Sequence, residues 1–338
     1  MTFFVHTCLV LMWSAERLRL DGRQLFAAFY VRRLFRIYPL SIFCVLAVYC
    51  LSHRWWNIGP LCHPGPMTPA RLWMNITLTQ GLFRSVPTSL PWTIVPLWSL
   101  PLEVQMYILL PALFIVLRNR PMWWVFGVWV LSVFVALAQP WLGDRFLGFL
   151  YAPCFLGGVI AWRFAKTYHG PRLPGWLWPP ALLAVSMIWM AATPRYVDCC
   201  RNAFGLFLGF SIPLFGEIPW NFVKTTSRLV AKYSYGIYLS HFPILMIVLL
   251  RLPHHGRLTR CSTLILLFLA IPLLLYHGVE APGIHYGKRL ADWITRKVAM
   301  KAVKSPVPDD ESLGGPLPPE IPPKLANDGA SKVQAAYE

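Results

Sequence analysis

At 338 residues the chain is 56% apolar and only 13% charged, with sixteen Trp and a mean hydropathy of +0.50. Soluble domains carry about a quarter charged residues, so this composition excludes an ordinary soluble fold and points to a polytopic membrane protein. The net charge of +17 raises nucleic acid as a partner, but no basic run or soluble module hosts one: residues 1–304 hold 29 Lys and Arg against 8 Asp and Glu, and 305–338 hold 2 against 6.

In chain order, residues 2–13 ("TFFVHTCLVLMW") are apolar but too short to span. With no basic residues before them and no cleavage signal after, they read as the end of a helix whose beginning is missing, not as a signal peptide. Runs near the ~20 residues needed to cross ~30 Å of hydrocarbon fall at 37–52, 97–117, 122–140, 145–162, 176–192, 203–219, 233–250 and 262–284. The fold class is therefore all-α, a polytopic transmembrane helix bundle of eight full spans and one partial one. The connections 16–36, 118–121, 163–172, 220–232 and 285–304 carry 20 Lys and Arg, whereas 53–94, 139–145, 194–201 and 251–260 carry 9. The positive-inside rule makes the first set cytoplasmic, and the C-terminus with it. Residues 1–304 then form the membrane domain. Residues 305–338, rich in Pro and acid, cannot bury a core and read as a disordered cytoplasmic tail.

Cys8, Cys44, Cys50 and Cys154 lie in or beside apolar runs, where Cys acts as a small hydrophobe. Cys62, Cys199, Cys200 and Cys261 fall in expected outer loops, which leaves a disulfide open. No CxxC pair or HExxH run signals a metal.

Three polar constellations interrupt the apolar pattern. In "FYVRRLFRIYPL", Arg32, Arg33 and Arg36 fall at the expected cytoplasmic mouth of a helix, with Arg32 and Arg36 four apart on one face. They serve either as positive-inside anchors or as a fork of donors for a polyanion arriving from the cytosol. In "LWSLPLEVQMYILLP", Ser99, Glu103 and Tyr107 recur every fourth residue, a stripe that should face the bundle interior. An ionised side chain at the bilayer centre costs about 2.5–3.5 kcal/mol on insertion scales, so such residues are commonly functional. Ser99 as a helix cap, Pro101 in the first turn and Glu103 at the positive end of the helix dipole give the structural alternative. In "KYSYGIYLSHFPI", Ser234, Tyr238 and His241 share a face at i, i+4 and i+7. Glu280, beside His277, is expected to pair with a neighbour near the cytoplasmic end, and Gly157-Gly158 to allow close helix packing.

Together these stretches resemble the bacterial membrane-bound acyltransferase 3 family, of the O-antigen O-acetyltransferase type. "RRLFRIYP" is similar to a family motif of two arginines three apart before Tyr/Leu-Pro, which maps to Arg33 and Arg36. "LWSLPLEVQMYILLP" resembles its Trp-Ser-Leu…Glu…Tyr…Pro signature, through Trp98, Ser99, Glu103, Tyr107 and Pro111. "YSYGIYLSHFPI" resembles the Ser-Tyr…Tyr-Leu…His…Pro signature, through Ser234, Tyr235, Tyr238, Leu239, His241 and Pro243, and "YAPCFLGGVIAW" the Phe-Leu-x-Gly helix.

The resemblance implies a ten-helix bundle in the bacterial inner membrane that moves an acyl group, usually acetyl from acetyl-CoA, onto a hydroxyl of an extracytoplasmic carbohydrate. Its partners would be acyl-CoA, that acceptor and membrane lipid, with no nucleic acid and no metal. Arg33 and Arg36 would position the donor and Glu103 the acceptor or a catalytic partner, with His241 completing the catalytic set. Arg32, Trp98, Ser99, Tyr107, Ser234 and Tyr238 would line the substrate path. The family's first helix carries an Arg followed eleven positions later by a His that suits a catalytic base. No match to it occurs here, and Met1 falls where the second helix is under way, so the chain reads as N-terminally incomplete. The rival readings are a degenerate family member acting as a binding or scaffold protein, and a transporter or flippase. Against the transporter stands the lack of an internal repeat or paired broken helices.

Overall fold

The computed structural model describes residues 1–55, 68–79, 82, 97–142, 148–192 and 197–304. The helices are α1 (Thr2–Leu18), α2 (Gly22–Trp55), α3 (Pro69–Thr77), α4 (Leu100–Leu117), α5 (Met122–Leu137), α6 (Gly148–Thr167), α7 (Trp178–Ala192), α8 (Val197–Ser211), α9 (Asn221–Arg251), α10 (Arg257–Leu275) and α11 (Ala281–Lys304). Among the described residues, β structure is limited to an isolated bridge between Leu173 and Phe215. The bundle lies within the compact unit Met1–Val298, and the expected tail, 305–338, lies outside the described residues.

Gly22–Cys50, Leu100–Leu117, Gly148–Thr167 and the continuous run Arg257–Val298 are long and apolar enough to cross a membrane; Met122–Leu137 and Gly175–Ala191 are shorter apolar helices. Leu131, Phe134, Met187, Ile188, Ile265, Leu266 and Leu269 are 61–69% exposed. Apolar exposure on this scale is stable against lipid, not water. The molecule is an all-α membrane bundle.

Three connections expected from hydropathy are largely helix. α2 starts at Gly22, α9 at Asn221, and α10 passes through a π turn at Tyr276–Glu280 into α11. Hydropathy marks where a helix meets hydrocarbon, not where its hydrogen bonds stop, and Arg and Lys are good helix formers. Cys200 and Cys261 likewise sit in α8 and α10, both free; Cys62 and the Cys199 side chain lie outside the described residues.

Four of the five basic connections are tied to one another by polar contacts. Asp21, ahead of α2, pairs with Arg118, at the end of α4, and Arg163 Nη1 donates to the Arg118 carbonyl at 3.0 Å. Lys166 pairs with Glu16, whose Oε2 accepts the Trp162 indole N–H at 2.9 Å. Leu173 N–H donates to the Leu214 carbonyl at 2.7 Å, and Arg32 Nη2 meets Asp292 Oδ1 at 2.8 Å.

α6 is the hub, packed against α1, α5 and α8, and its glycines explain how. A Cβ on Gly158 would fall 2.4 Å from the Val5 carbonyl oxygen and 2.7 Å from Cys8 Cβ, and one on Gly157 2.3 Å from the Gly205 carbonyl oxygen. A Cβ on Gly209, one α8 turn beyond Gly205, would lie 2.7 Å from the Gly157 oxygen. Small residues let membrane helices touch backbone to backbone, where no water-driven hydrophobic effect pulls them together. The close packing expected of Gly157-Gly158 is thus present on both sides of α6.

Candidate active site

The site is built where α2 and α4 run side by side. Tyr30 on α2 donates to the Ile108 carbonyl on α4 at 2.7 Å, which sets their level. Arg33 lies eleven residues into α2, about 16 Å from its start at 1.5 Å per residue. The arginines therefore lie well along α2 and not at its start, because α2 begins fifteen residues earlier than the hydropathy run.

Arg33 and Arg36 reach different neighbours. Arg33 Nη2 donates to Ser14 Oγ of α1 at 3.2 Å, and its guanidinium lies 5.8 Å from the centroid of the Phe29 ring. Phe29 in turn meets Tyr107 edge-on at 6.4 Å. Arg36 Nη2 stands 3.9 Å from Glu280 Oε1 in the π turn. Arg32, expected to contact substrate, is tied instead to Asp292 of α11. The helical period decides this: Arg32 and Arg36 share a face that looks toward α10 and α11, while Arg33 looks toward α1 and α4.

On α4 the polar stripe faces inward as its period requires. Ser99, Glu103 and Tyr107 are 2%, 4% and 7% exposed. Tyr107 OH donates to Glu103 Oε2 at 2.8 Å. Glu103 Oε1 is buried and accepts no hydrogen bond among the described residues. A carboxylate oxygen so placed is costly unless a ligand proton or a cation meets it. Arg33 and Arg36 both lie within electrostatic reach of Glu103. Pro101 and Glu103 occupy the first turn of α4 as expected, but Ser99 is not a side-chain cap. Its hydroxyl is spent across the bundle, 2.8 Å from Tyr238 OH of α9.

The third constellation divides. His241 Nδ1 lies 2.7 Å from the Tyr238 carbonyl. Because a carbonyl only accepts, Nδ1 is the donor in that contact. The Tyr238 and His241 rings lie 6.0 Å apart. Ser234 does not join them: it is exposed, and its hydroxyl donates back to the Ala231 carbonyl at 2.8 Å, the local bond that Ser favours in helices. Trp98 is 48% exposed and packs near Phe4 and Tyr151, at 6.3 and 6.2 Å. Phe3 stacks on Tyr238 at 6.1 Å, so Trp98, just ahead of α4, and aromatic rings of α1, α6 and α9 run as one wall past His241.

Ser14, Asp292 and Tyr151 were not singled out by sequence. The partner of each lies on another part of the chain, which its own stretch does not reveal. Among the described residues no group of His, Cys, Asp and Glu is arranged to hold a metal ion.

The order and spacing of these groups match a known sequence profile, that of the acyltransferase 3 family, described as an acyltransferase domain, over residues 2–277. The chain belongs to that family. It is a membrane acyltransferase by kinship, and the three motif stretches that form the site fall inside the matched region. No curated protein and no solved structure matches the chain.

Proposed function

We propose that this acyltransferase 3 protein moves an acyl group, acetyl foremost, from cytoplasmic acyl-CoA to a hydroxyl of an extracytoplasmic glycan or glycoside in the bacterial inner membrane. The observation that carries the reading is the buried Glu103 carboxylate, with one oxygen held by Tyr107 and the other open, within electrostatic reach of Arg33 and Arg36. In the reaction the acceptor oxygen bonds to the thioester carbonyl carbon and the carbon–sulfur bond breaks. The hydroxyl proton passes through a base to the departing thiolate. Arg33 and Arg36 supply a planar fork of donors for the donor phosphates, a task a point-charge Lys does less well. The open Glu103 oxygen accepts the acceptor hydroxyl or an imidazole N–H and so fixes its direction. His241, held at Nδ1 by the Tyr238 carbonyl, lines the path by which that hydroxyl approaches. The polar ties among the basic connections support cytoplasmic entry of the donor on their side and a cytoplasmic C-terminus, by the positive-inside rule.

The test is incorporation of label from acetyl-CoA into membrane glycan by cells or vesicles holding the wild type, Glu103→Gln, Arg33→Ala or Arg36→Ala, with protein level followed by blotting. Loss of product at normal protein level is expected in all three. Normal acetylation in Glu103→Gln would remove Glu103 from the chemistry.

A further inference from the structure

Glu280 stands outside the three motif stretches, yet it is the more completely buried of the bundle's two interior carboxylates, 1% exposed against 4% for Glu103. Neither of its oxygens has a hydrogen-bond partner among the described residues. The nearest cation is Arg36, at 3.9 Å, a distance at which the charges attract but no directed hydrogen bond forms. Glu280 closes the π turn between α10 and α11, and single π turns occur frequently at functional sites. His277, adjacent in the turn, lies 3.3 Å from Tyr233 instead.

The turn is fastened against α2 at the level of Arg36. Pro39 has no N–H to offer the Phe35 carbonyl four residues back. α11 fills that gap: a Cβ on Gly283 would lie 2.7 Å from the Phe35 oxygen, and one on Gly287 2.5 Å from Phe35 Cβ. From α9, Tyr235 OH donates to the Ile37 carbonyl at 2.9 Å. The backbone on both sides of Arg36 is held by these contacts, while the Arg36 side chain itself is 41% exposed.

We infer that Glu280 is a positioning residue that aims the Arg36 guanidinium at the phosphates of the acyl donor. Its charge draws the guanidinium inward without occupying any of the five N–H donors, so the whole fork remains for a ligand. A hydrogen-bonded partner would have consumed at least one of them, as Asp292 consumes one of Arg32. Arg36 in turn offsets the cost of a carboxylate buried with no other partner.

This inference rests on the donor-binding role proposed for Arg36, and its experiment separates the two. Wild type, Glu280→Gln, Arg36→Ala and the double variant are assayed in membranes with acetyl-CoA and with S-acetyl-N-acetylcysteamine, a thioester without phosphates. For Glu280→Gln the KM for acetyl-CoA is expected to rise about tenfold, the scale of a weakened charge-assisted contact, with kcat and the rate from the phosphate-free donor unchanged. The double variant should be no worse than Arg36→Ala alone, because the two act as one unit. Equal loss with both donors, or an unchanged KM for acetyl-CoA, overturns the inference and leaves the acyltransferase reading standing. A wild type that transfers from neither donor overturns both. If Glu280→Gln does not accumulate, Glu280→Asp keeps the charge but withdraws it by one methylene, and the same donor split applies.

Discussion

Replacing Tyr107 by Phe removes one atom from the site and nothing else of consequence. The ring keeps its edge contact with Phe29 and its place on the buried face of α4, but Glu103 Oε2 loses its 2.8 Å donor. With Oε1 already open, the carboxylate is left without a hydrogen bond from the described residues and is free to change rotamer. A hydrogen bond to a charged group contributes about 1.5–3 kcal/mol, so if Glu103 acts in the transition state, kcat/KM should fall about 10- to 150-fold. The matched control is Tyr238→Phe, which removes a bond of the same length to the neutral Ser99 hydroxyl. Neutral pairs contribute about 0.5–1.5 kcal/mol, hence a loss of about 2- to 10-fold. Both variants are assayed as initial rates over a range of acetyl-CoA in membranes normalised for protein. A Tyr107→Phe enzyme within twofold of wild type, alongside an inactive Glu103→Gln, would refute the claim that the phenol holds the carboxylate.

Arg32→Ala should leave acetylation near wild type and lower stability by no more than about 1 kcal/mol, the scale of an exposed ion pair, since Arg32 serves Asp292 and not the site; melting in detergent and the activity assay together check it. Gly158→Ala should cost about 1–3 kcal/mol as an overpacked contact, because its Cβ would strike the α1 backbone 2.4 Å away. Gly127→Ala, where nothing lies within 4 Å, should be neutral or stabilising by about 0.5–1 kcal/mol through helix propensity. The contrast is read as thermal stability and yield.

Much of the bundle was legible from the chain because period and hydropathy are local. A residue every four positions on α4 has to share a face, and Ser99, Glu103 and Tyr107 do. Gly157 and Gly158 in an apolar run announced close packing. What failed was decided elsewhere in the fold. Arg32 and Arg33 are neighbours of identical chemistry on different faces of α2, but which partner each face meets, Asp292 for Arg32 and Ser14 for Arg33, is set by how the helices pack. Ser234 had the right spacing, but its hydroxyl found a closer acceptor in its own helix. The ends of α2, α9 and α11 were misplaced because a hydropathy run stops at the edge of the lipid while hydrogen bonding continues.

The glycine seam also constrains how the protein can move. A turn of α1, α6 or α8 about its own axis would drive a carbonyl into a neighbouring Cα, so these three helices behave mechanically as one stator. α9 and α10 pack chiefly on each other and carry no such interlock with α6. They are seated instead on α2: α10 continues through the π turn into α11, whose Gly283 and Gly287 would meet Phe35 if either carried a Cβ, and Tyr235 of α9 donates to the Ile37 carbonyl. Tyr238, His241, Arg33 and Arg36 thus belong to one mechanically linked group of helices, and the Ser99–Tyr238 contact joins that group to the segment leading into α4.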